Sequence, residues 1–155
     1  MIKITLICVG SLKEKYFKEA LAEYKKRLSA FCKLNIIEID EQTAGGDIQK
    51  NLITEAEKIT KKINTNAFVI PLCIEGAAVT SNELADLIQA QTVSGKSEIC
   101  FIIGGSNGLD TAVKAQGDTL LSMSKMTFPH HLARIMIVEQ IYRAFMIIRG
   151  TKYHK

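Results

Sequence analysis

The sequence predicts an α/β protein with a mostly parallel, five-stranded sheet covered by helices on both faces. Short apolar runs alternate with stretches of helical spacing along the 155 residues, in the order β-α-β-α-β-α-β-α-β-α. Most of the apolar runs lack the alternation of polar and apolar residues seen in a strand with one solvated face. Strands of this kind are buried on both sides, which favours a parallel sheet between helices.

Five segments carry the strand pattern, and each is short and rich in β-branched or other apolar residues. They are Ile2–Val9, Leu34–Ile39, Ala67–Ile74, Glu98–Ile103 and Thr119–Met123. Pro71 lies inside the third segment. Because proline has no N–H to donate to a ladder, we expect a bend or bulge there.

The segments between the strands repeat apolar residues every three or four positions, which predicts helices. They are Leu12–Ala30, Ile48–Ile63, Ser81–Val93, Leu109–Gln116 and His131–Ile148. Asp47 and Ser81 are the expected N-caps of the second and third helices, because their side chains can accept from free amides of the first turn. Gln42–Gly46 is expected to form a loop.

Length and composition indicate a single domain, residues 1–155, of a globular protein with 47% hydrophobic and 23% charged residues. The net charge of +4 is compatible with an RNA partner but does not specify one. The four cysteines form no CxxC pair, so we expect buried thiols and no metal site. The chain opens directly on a strand pattern and has no apolar run of membrane-spanning length, so we expect a cytoplasmic protein with no membrane partner.

Two loops are candidates for ligand binding. Gly104–Gly108 follows the fourth strand, and open α/β sheets bind ligands at the carboxyl ends of their strands. The glycines fit neither a dinucleotide fingerprint nor a phosphate-binding loop, and a simple tight turn is the alternative. Ser124–Pro129 follows the next strand. Two such loops at one sheet edge can form a pocket.

The last helix is too apolar for a helix with a solvated side. Thirteen of the eighteen residues from His131 to Ile148 are apolar or tyrosine, and Arg134 falls between two apolar faces. Either a second copy of the chain covers one face, or the chain itself covers both. The seven residues after this helix, Arg149–Lys155, form a basic tail that could contact RNA across a dimer interface or be disordered.

Four motifs together resemble the RlmH family of ribosomal RNA large-subunit methyltransferases, of the SPOUT class. They are Ile103–Gly108, Leu121–His130, Glu139–Ala144 and Tyr153–Lys155. The resemblance runs from Ile2 to the last residue, with one departure at Lys152, where the family usually has proline.

The resemblance implies a sheet whose C-terminal part is threaded into a trefoil knot, which ordinary connection rules would not predict. It also implies a homodimer and S-adenosylmethionine as the methyl donor. The implied acceptor is N3 of a pseudouridine in a stem-loop of 23S rRNA at the ribosomal subunit interface. The small net charge favours an assembled ribosome as the substrate, because one small protein supplies little recognition surface.

Position by position, the resemblance assigns a donor pocket. Its residues are Leu72, Gly104, Met123, Ser124, Lys125, Met126, Thr127 and Phe128. Taken alone, Leu72 and Met126 would be interpreted as core residues. His130, just after Pro129, is expected either to cap the last helix or to orient the loop Met123–Phe128 of the donor pocket.

Methyl transfer from a sulfonium is an in-line displacement, and the N3 proton of the acceptor must leave. A cation or hydrogen-bond donor would stabilise the negative charge that develops. The candidates are Arg143, Tyr153 and His154, with Glu139 as a weaker candidate base. Two other classes stay open at this stage, a nucleotide-binding domain that uses the glycine loop for phosphate and a non-catalytic RNA-binding module.

Overall fold

Strands and helices alternate in the predicted order in the computed structural model, which describes residues 1–155. The strands are β1 (Lys3–Val9), β2 (Lys33–Ile39), β3 (Phe68–Ala78), β4 (Glu98–Ile103) and β5 (Leu121–Ser122). The helices are α1 (Lys15–Leu28), α2 (Ile48–Thr60), α3 (Ser81–Val93), α4 (Thr111–Lys114) and α5 (His130–Ile148). A short 3-10 turn at Ala44–Gly46 lies within the predicted loop. None of the helices is long and apolar enough to cross a bilayer.

The five strands form one sheet in the order β2-β1-β4-β3-β5, and every neighbouring pair is parallel. All carboxyl ends therefore lie at one edge, where β1 is followed by Gly10, β4 by Gly104 and β5 by Met123. The predicted parallel sheet with flanking helices is confirmed. The trefoil knot stays a prediction.

Both faces of the sheet are buried, as the lack of alternation predicted. On β1, Leu6 and Cys8 belong to the larger apolar core, whereas Ile7 and Val9 belong to the smaller one. The larger core contains residues of α1, α3 and α5, and the smaller core contains residues of α2 and α4. Successive β1 residues therefore point to opposite helical layers.

The last helix packs against α1, α3 and β4. Its apolar side chains from both predicted faces, including Ile137 and Val138, are buried within the chain. Leu132 stays exposed, and Ile135 and Met136 are half-buried. Intramolecular contacts thus cover most, but not all, of the apolar surface of α5.

Arg134 connects α5 to the carboxyl edge of the sheet. Its side chain is only 1% exposed, and it lies 2.9 Å from a carboxylate oxygen of Glu38. A second guanidinium nitrogen donates to the carbonyl oxygen of Gly10 at 2.7 Å. The charge between the two predicted apolar faces is therefore buried, and it fixes the start of α5 beside β1 and β2.

One predicted helix cap is confirmed and the other is wrong. The Asp47 carboxylate accepts from the amide of Lys50 at 3.1 Å, as expected. The third helix is capped by Thr80, whose side chain accepts from Glu83 N–H while the Glu83 carboxylate accepts from Thr80 N–H. Ser81 is instead the first helical residue, and its hydroxyl donates to Gln140 of α5 at 2.6 Å. Thr80 takes the cap because its backbone is extended just before the first turn and Glu83, three positions later, completes the reciprocal pair.

The irregularity expected at Pro71 lies farther along β3. Pro71 stays in regular register opposite Ile102 of β4. The shift occurs between Leu72 and Ala77, on the side that faces β5. The missing N–H of proline therefore leaves the β3–β4 ladder in register, and β3 runs on to Ala78.

Close contact between β3 and β5 requires glycine at position 76. A Cβ atom built on Gly76 would lie 2.5 to 2.8 Å from three backbone atoms of Leu121. No side chain fits at that distance, so Gly76 allows the two-residue strand β5 to pair with β3.

We predict that Gly76→Ala lowers the free energy of unfolding by about 2–4 kcal/mol, because backbone cannot yield as a flexible side chain does. Gly46→Ala is the matched control: nothing lies within 4 Å of its Cβ, and only its positive φ of 65° is strained. That strain costs about 1 kcal/mol. Urea unfolding of both variants measures the difference, and an equal or smaller loss for Gly76→Ala would contradict the contact.

Candidate functional site

A cleft of about 870 Å³ opens at the carboxyl edge of β3, β4 and β5. Its volume lies within the roughly 300–1,000 Å³ typical of small-molecule sites. Four segments supply most of its lining, namely Leu72–Glu75, Ile103–Leu109, Ser122–Ser124 and Met126–His130. The two loops predicted to form a pocket are therefore brought together.

The glycine loop, Gly104–Gly108, is a tight turn as well as a wall of the cleft. Gly108 N–H donates to the carbonyl oxygen of Gly105 at 3.1 Å, and Gly108 has a positive φ of 77°. A Cβ on Gly104 would lie 2.4 Å from the carbonyl oxygen of Gly108. The loop is thus closed on itself, which leaves backbone rather than side chains to form this part of the wall.

The loop Met123–Phe128, called the donor loop after its predicted role, is shaped by Ser124 and by Ser122 just before it. The Ser122 hydroxyl donates to the carbonyl oxygen of Ser124 at 3.0 Å. The Ser124 hydroxyl accepts from the amide of Met126 at 3.0 Å. These two hydrogen bonds hold the shape of the loop, which is neither a helix nor a strand.

Seven of the eight predicted donor-pocket residues line the cleft. The eighth, Lys125, is exposed and does not line it. Two apolar side chains at the rim, Met126 and Ile74, are 72% and 65% exposed. A ligand that covers apolar side chains of this size removes them from water, which favours binding. Their exposure therefore supports a binding role for the cleft.

Sequence reasoning missed an ion pair in the cleft wall. The Lys114 ammonium of α4 contacts the Glu75 carboxylate of β3, and both residues line the cleft. The Glu75 pKa is lowered, chiefly by its hydrogen bond from Lys114. No local pattern could have found this pair, because the fold alone brings the two residues together.

His130 lies in the wall of the cleft at the start of α5. Pro129 occupies the N-cap position, so the capping role expected for His130 is not observed. The His130 ring lies 4.2 Å from that of His131, and its Nε2 lies 3.9 Å from a Glu41 carboxylate oxygen. Burial and the His131 charge lower the His130 pKa more than Glu41 raises it. The imidazole is therefore neutral at pH 7.

The three predicted catalytic residues cluster at the other end of α5. Arg143 Nη1 lies 3.4 Å from His154 Nδ1, and the Arg143 guanidinium lies 4.9 Å from the centre of the Tyr153 ring. Burial, and then the Glu139 charge, raise the Tyr153 pKa to about 12. The phenol thus remains protonated at neutral pH and acts as a hydrogen-bond donor.

Glu139 holds this cluster together. One of its carboxylate oxygens accepts from Arg143 at 2.5 Å and from the Tyr153 hydroxyl at 3.2 Å. The other accepts from Gln140 at 2.9 Å. A carboxylate with so many donors is poorly suited to take a proton from a substrate, so Glu139 orients Arg143 and Tyr153 rather than serving as a base.

Within one chain the cluster is far from the cleft. Arg143 comes thirteen residues after His130, which corresponds to roughly 20 Å along a helix. None of Arg143, Tyr153 and His154 lines the cleft. The cleft, which is the predicted donor site, and the predicted catalytic cluster therefore lie at opposite ends of α5.

The C-terminal tail folds back on α5 rather than extending. Gly150 ends the helix with a positive φ of 66°, and the Thr151 amide donates to the carbonyl oxygen of Met146 at 3.0 Å. Tyr153 packs against the larger core. The tail was expected either to contact RNA or to be disordered, and in this structure it is ordered against α5.

A parallel sheet with a cleft at its carboxyl edge places the chain among α/β proteins that bind small molecules at strand ends. A sequence model of the family described as "Predicted SPOUT methyltransferase" matches residues 2–154. The chain belongs to the SPOUT methyltransferase family, which confirms the class that the four motifs indicated.

Similar proteins in several bacteria share one name. Proteins named ribosomal RNA large subunit methyltransferase H are 49% identical in Bacillus pumilus and 51% identical in Bifidobacterium adolescentis. Each match covers 99% of this chain and 100% of the relative.

A solved structure titled "The structure of a probable methylase family protein from Haemophilus influenzae Rd KW20" shares the fold. It has a TM-score of 0.56 and 13% identity, and the match covers 100% of this chain and 72% of that one.

We predict that stability falls as pH drops below about 6.5, partly through His130. A histidine with a lowered folded pKa takes up its proton first in the unfolded state, so acid favours unfolding by at most about 1.4 kcal/mol per pH unit. His130→Gln should make the free energy of unfolding fall less steeply between pH 6.5 and 5, measured with urea. Asn82→Gln is the control, because it changes an exposed side chain that does not titrate, and it should keep the wild-type slope. An unchanged slope in His130→Gln would show that His130 does not contribute to the loss of stability in acid.

Proposed function

We propose that the protein is an S-adenosylmethionine-dependent methyltransferase of 23S rRNA, acting on N3 of a pseudouridine in a stem-loop at the ribosomal subunit interface. One observation carries the proposal. Seven residues that the family motifs assign to the donor line a single cleft, in a chain matched over 99% of its length by ribosomal RNA large subunit methyltransferases H. We further propose that residues 1–155 form one methyltransferase domain that acts in the cytoplasm.

The cleft suits the proposed donor chemically. Leu72, Met126 and Phe128 provide apolar surface for the faces of an adenine ring. Backbone groups of the glycine loop and donor loop offer donors and acceptors for its polar edge. S-adenosylmethionine supplies a methyl group on a sulfonium, which is ready for direct displacement.

The acceptor requires a different environment from the donor. As its N3 proton leaves, negative charge develops on the base, and a fixed cation stabilises that charge best where water is excluded. The Arg143 guanidinium is suited to this role because Glu139 and the Tyr153 ring fix its orientation. Orientation of donor and acceptor could supply about 7–11 kcal/mol of the barrier reduction in a well-aligned site.

The separation of the two sides supports a homodimer with a shared site. We propose that Arg143, Tyr153 and His154 of one protomer serve the cleft of its partner. The apolar surface left open on α5 around Leu132 would then lie in the interface.

The exposed basic residues of the tail provide RNA contacts in this arrangement. Arg149, Lys152 and Lys155 are exposed beside the Arg143 cluster, where they can neutralise phosphates. The chain's net charge of only +4 supports an assembled ribosome as the target.

We predict that removing Tyr153–Lys155 abolishes methylation of ribosomes while donor binding stays within about threefold of wild type, because the tail contacts the acceptor side only. Transfer of labelled methyl groups and calorimetry with S-adenosylmethionine measure the two effects. Removal of Met1 alone is the control and should change neither. Full methylation by the shortened chain would exclude a role for the tail.

A shared site predicts complementation between two inactive variants. Arg143→Ala lacks the acceptor cation, and Gly104→Val distorts the glycine loop, because its side chain would clash with the Gly108 backbone. Each homodimer should be nearly inactive, whereas a mixed dimer has one of its two sites intact. About half of the dimers in a random equal mixture are mixed, so the mixture should recover up to about a quarter of wild-type activity per chain. Activity of mixtures, with reassembly checked by native mass spectrometry, provides the measurement. Reassembled mixtures without activity would show that each chain carries a complete site.

Cells that lack this protein should lose a single methyl group from one pseudouridine of 23S rRNA, as mapped by mass spectrometry. Restoring the wild-type gene should restore the methyl group. An unchanged modification pattern would exclude the proposed acceptor. The absence of a binding signal in calorimetry with S-adenosylmethionine would exclude the proposed donor.

A further inference from the structure

Glu41 stands behind the cleft, in the loop that follows β2. It does not line the cleft, and its side chain is 24% exposed. The strand order places the ends of β2, β1 and β4 side by side, so this loop reaches both the glycine loop and the start of α5. Those two segments lie in the wall of the cleft.

The Glu41 carboxylate binds the glycine loop directly. Its Oε1 accepts from the amide of Ser106 at 2.7 Å. A Cβ atom on Gly105 would lie 2.6 Å from the same oxygen and 2.9 Å from Val9 Cγ1. The absence of a side chain at position 105 is therefore what lets the carboxylate reach Ser106.

The other carboxylate oxygen faces the start of α5. Oε2 lies 3.9 Å from His130 Nε2. A Cβ atom on Gly10 would lie 3.1 Å from the same His130 nitrogen and 3.2 Å from His131 Nε2, so both rings approach the Gly10 backbone closely. Glu41 thus lies between the glycine loop and the start of α5.

Electrostatics keep the carboxylate in its ionised form. Burial alone would raise the Glu41 pKa, but the hydrogen bond from Ser106 outweighs burial and lowers it. The ionised carboxylate is the stronger acceptor for an amide. The hydrogen bond to the glycine loop therefore persists at neutral pH.

We propose that Glu41 is a positioning residue for the methyl donor, holding the glycine loop at a fixed distance from His130 so that the cleft is preformed. The inference rests on the proposed function, because it assumes that S-adenosylmethionine occupies this cleft. Without the carboxylate, the loop would have to be ordered by the ligand, and affinity would fall by the cost of that ordering.

Three variants separate the hydrogen bond from simple structural support. Glu41→Ala removes the acceptor and should weaken binding of S-adenosylmethionine about tenfold. Glu41→Asp keeps the charge but withdraws the oxygens from Ser106, and should weaken binding similarly. Glu41→Gln keeps an acceptor oxygen at the same reach and should stay within about threefold of wild type, because His130 is neutral and does not require the charge.

Calorimetry on the full-length protein at pH 7.5 measures affinity, and urea unfolding of the same samples shows that each variant is folded. Asp40→Ala is the matched control, since Asp40 lies in the same loop and its side chain makes no hydrogen bond or ion pair, and it should bind as wild type does. In methylation of ribosomes, Glu41→Ala should raise KM for the donor about tenfold and leave kcat within about twofold.

The outcomes distinguish this inference from the proposed function. Wild-type protein that binds no S-adenosylmethionine would overturn the proposed function itself. Wild-type binding with an equally tight Glu41→Ala would overturn only the role of Glu41. Equal weakening in the Gln and Ala variants, or in Asp40→Ala, would show that no specific hydrogen bond to Ser106 is involved and would overturn it as well.

Discussion

The close approach of β5 to β3 is the constraint on which the site depends. β5 has only two residues, so its own ladder is too short to hold it. It is fixed by the absence of a side chain at Gly76 and, just before the strand, by Asp118, which exchanges hydrogen bonds with the backbone of Val69 at 2.7 and 2.8 Å. Gly117 lies against Pro71 there, with a would-be Cβ 2.6 Å from the proline ring. The donor loop begins immediately after this short strand, so its place beside the glycine loop follows from these contacts.

The two ends of α5 carry different chemistry. At its start, a neutral His130 and a buried Arg134 lie against the carboxyl ends of β1 and β2, and His130 lines the cleft. At its end, Glu139, Arg143 and Tyr153 form a charged and aromatic cluster beside a basic tail. One helix thus carries the cleft wall and this charged cluster about 20 Å apart. In the proposed homodimer, the charged cluster of one copy would face the cleft of the other.

Much of the architecture was accessible from the sequence, because buried strands and amphipathic helices leave strong periodic patterns. The five strands, their parallel arrangement and the two loops at one edge were all predicted, and Glu98–Ile103 was correct to the residue. The wrong cap was a local error, because Thr80 and Glu83 already have the spacing of a capping box in the sequence. The position of the β3 bulge depended on a distant contact, since it lies beyond Pro71 where β5 pairs. Glu41 was missed for the same reason, since its partner Ser106 is 65 positions away.

The central claim is that the glycine loop and donor loop form one binding site on adjacent strand ends. Hydrogen–deuterium exchange with and without S-adenosylmethionine tests this claim directly, because it reports backbone protection along the whole chain. The account predicts that the ligand slows exchange in both Gly104–Gly108 and Met123–Phe128 and leaves α2 on the opposite layer unchanged. Protection confined to α2, or protection of only one of the two loops, would contradict it.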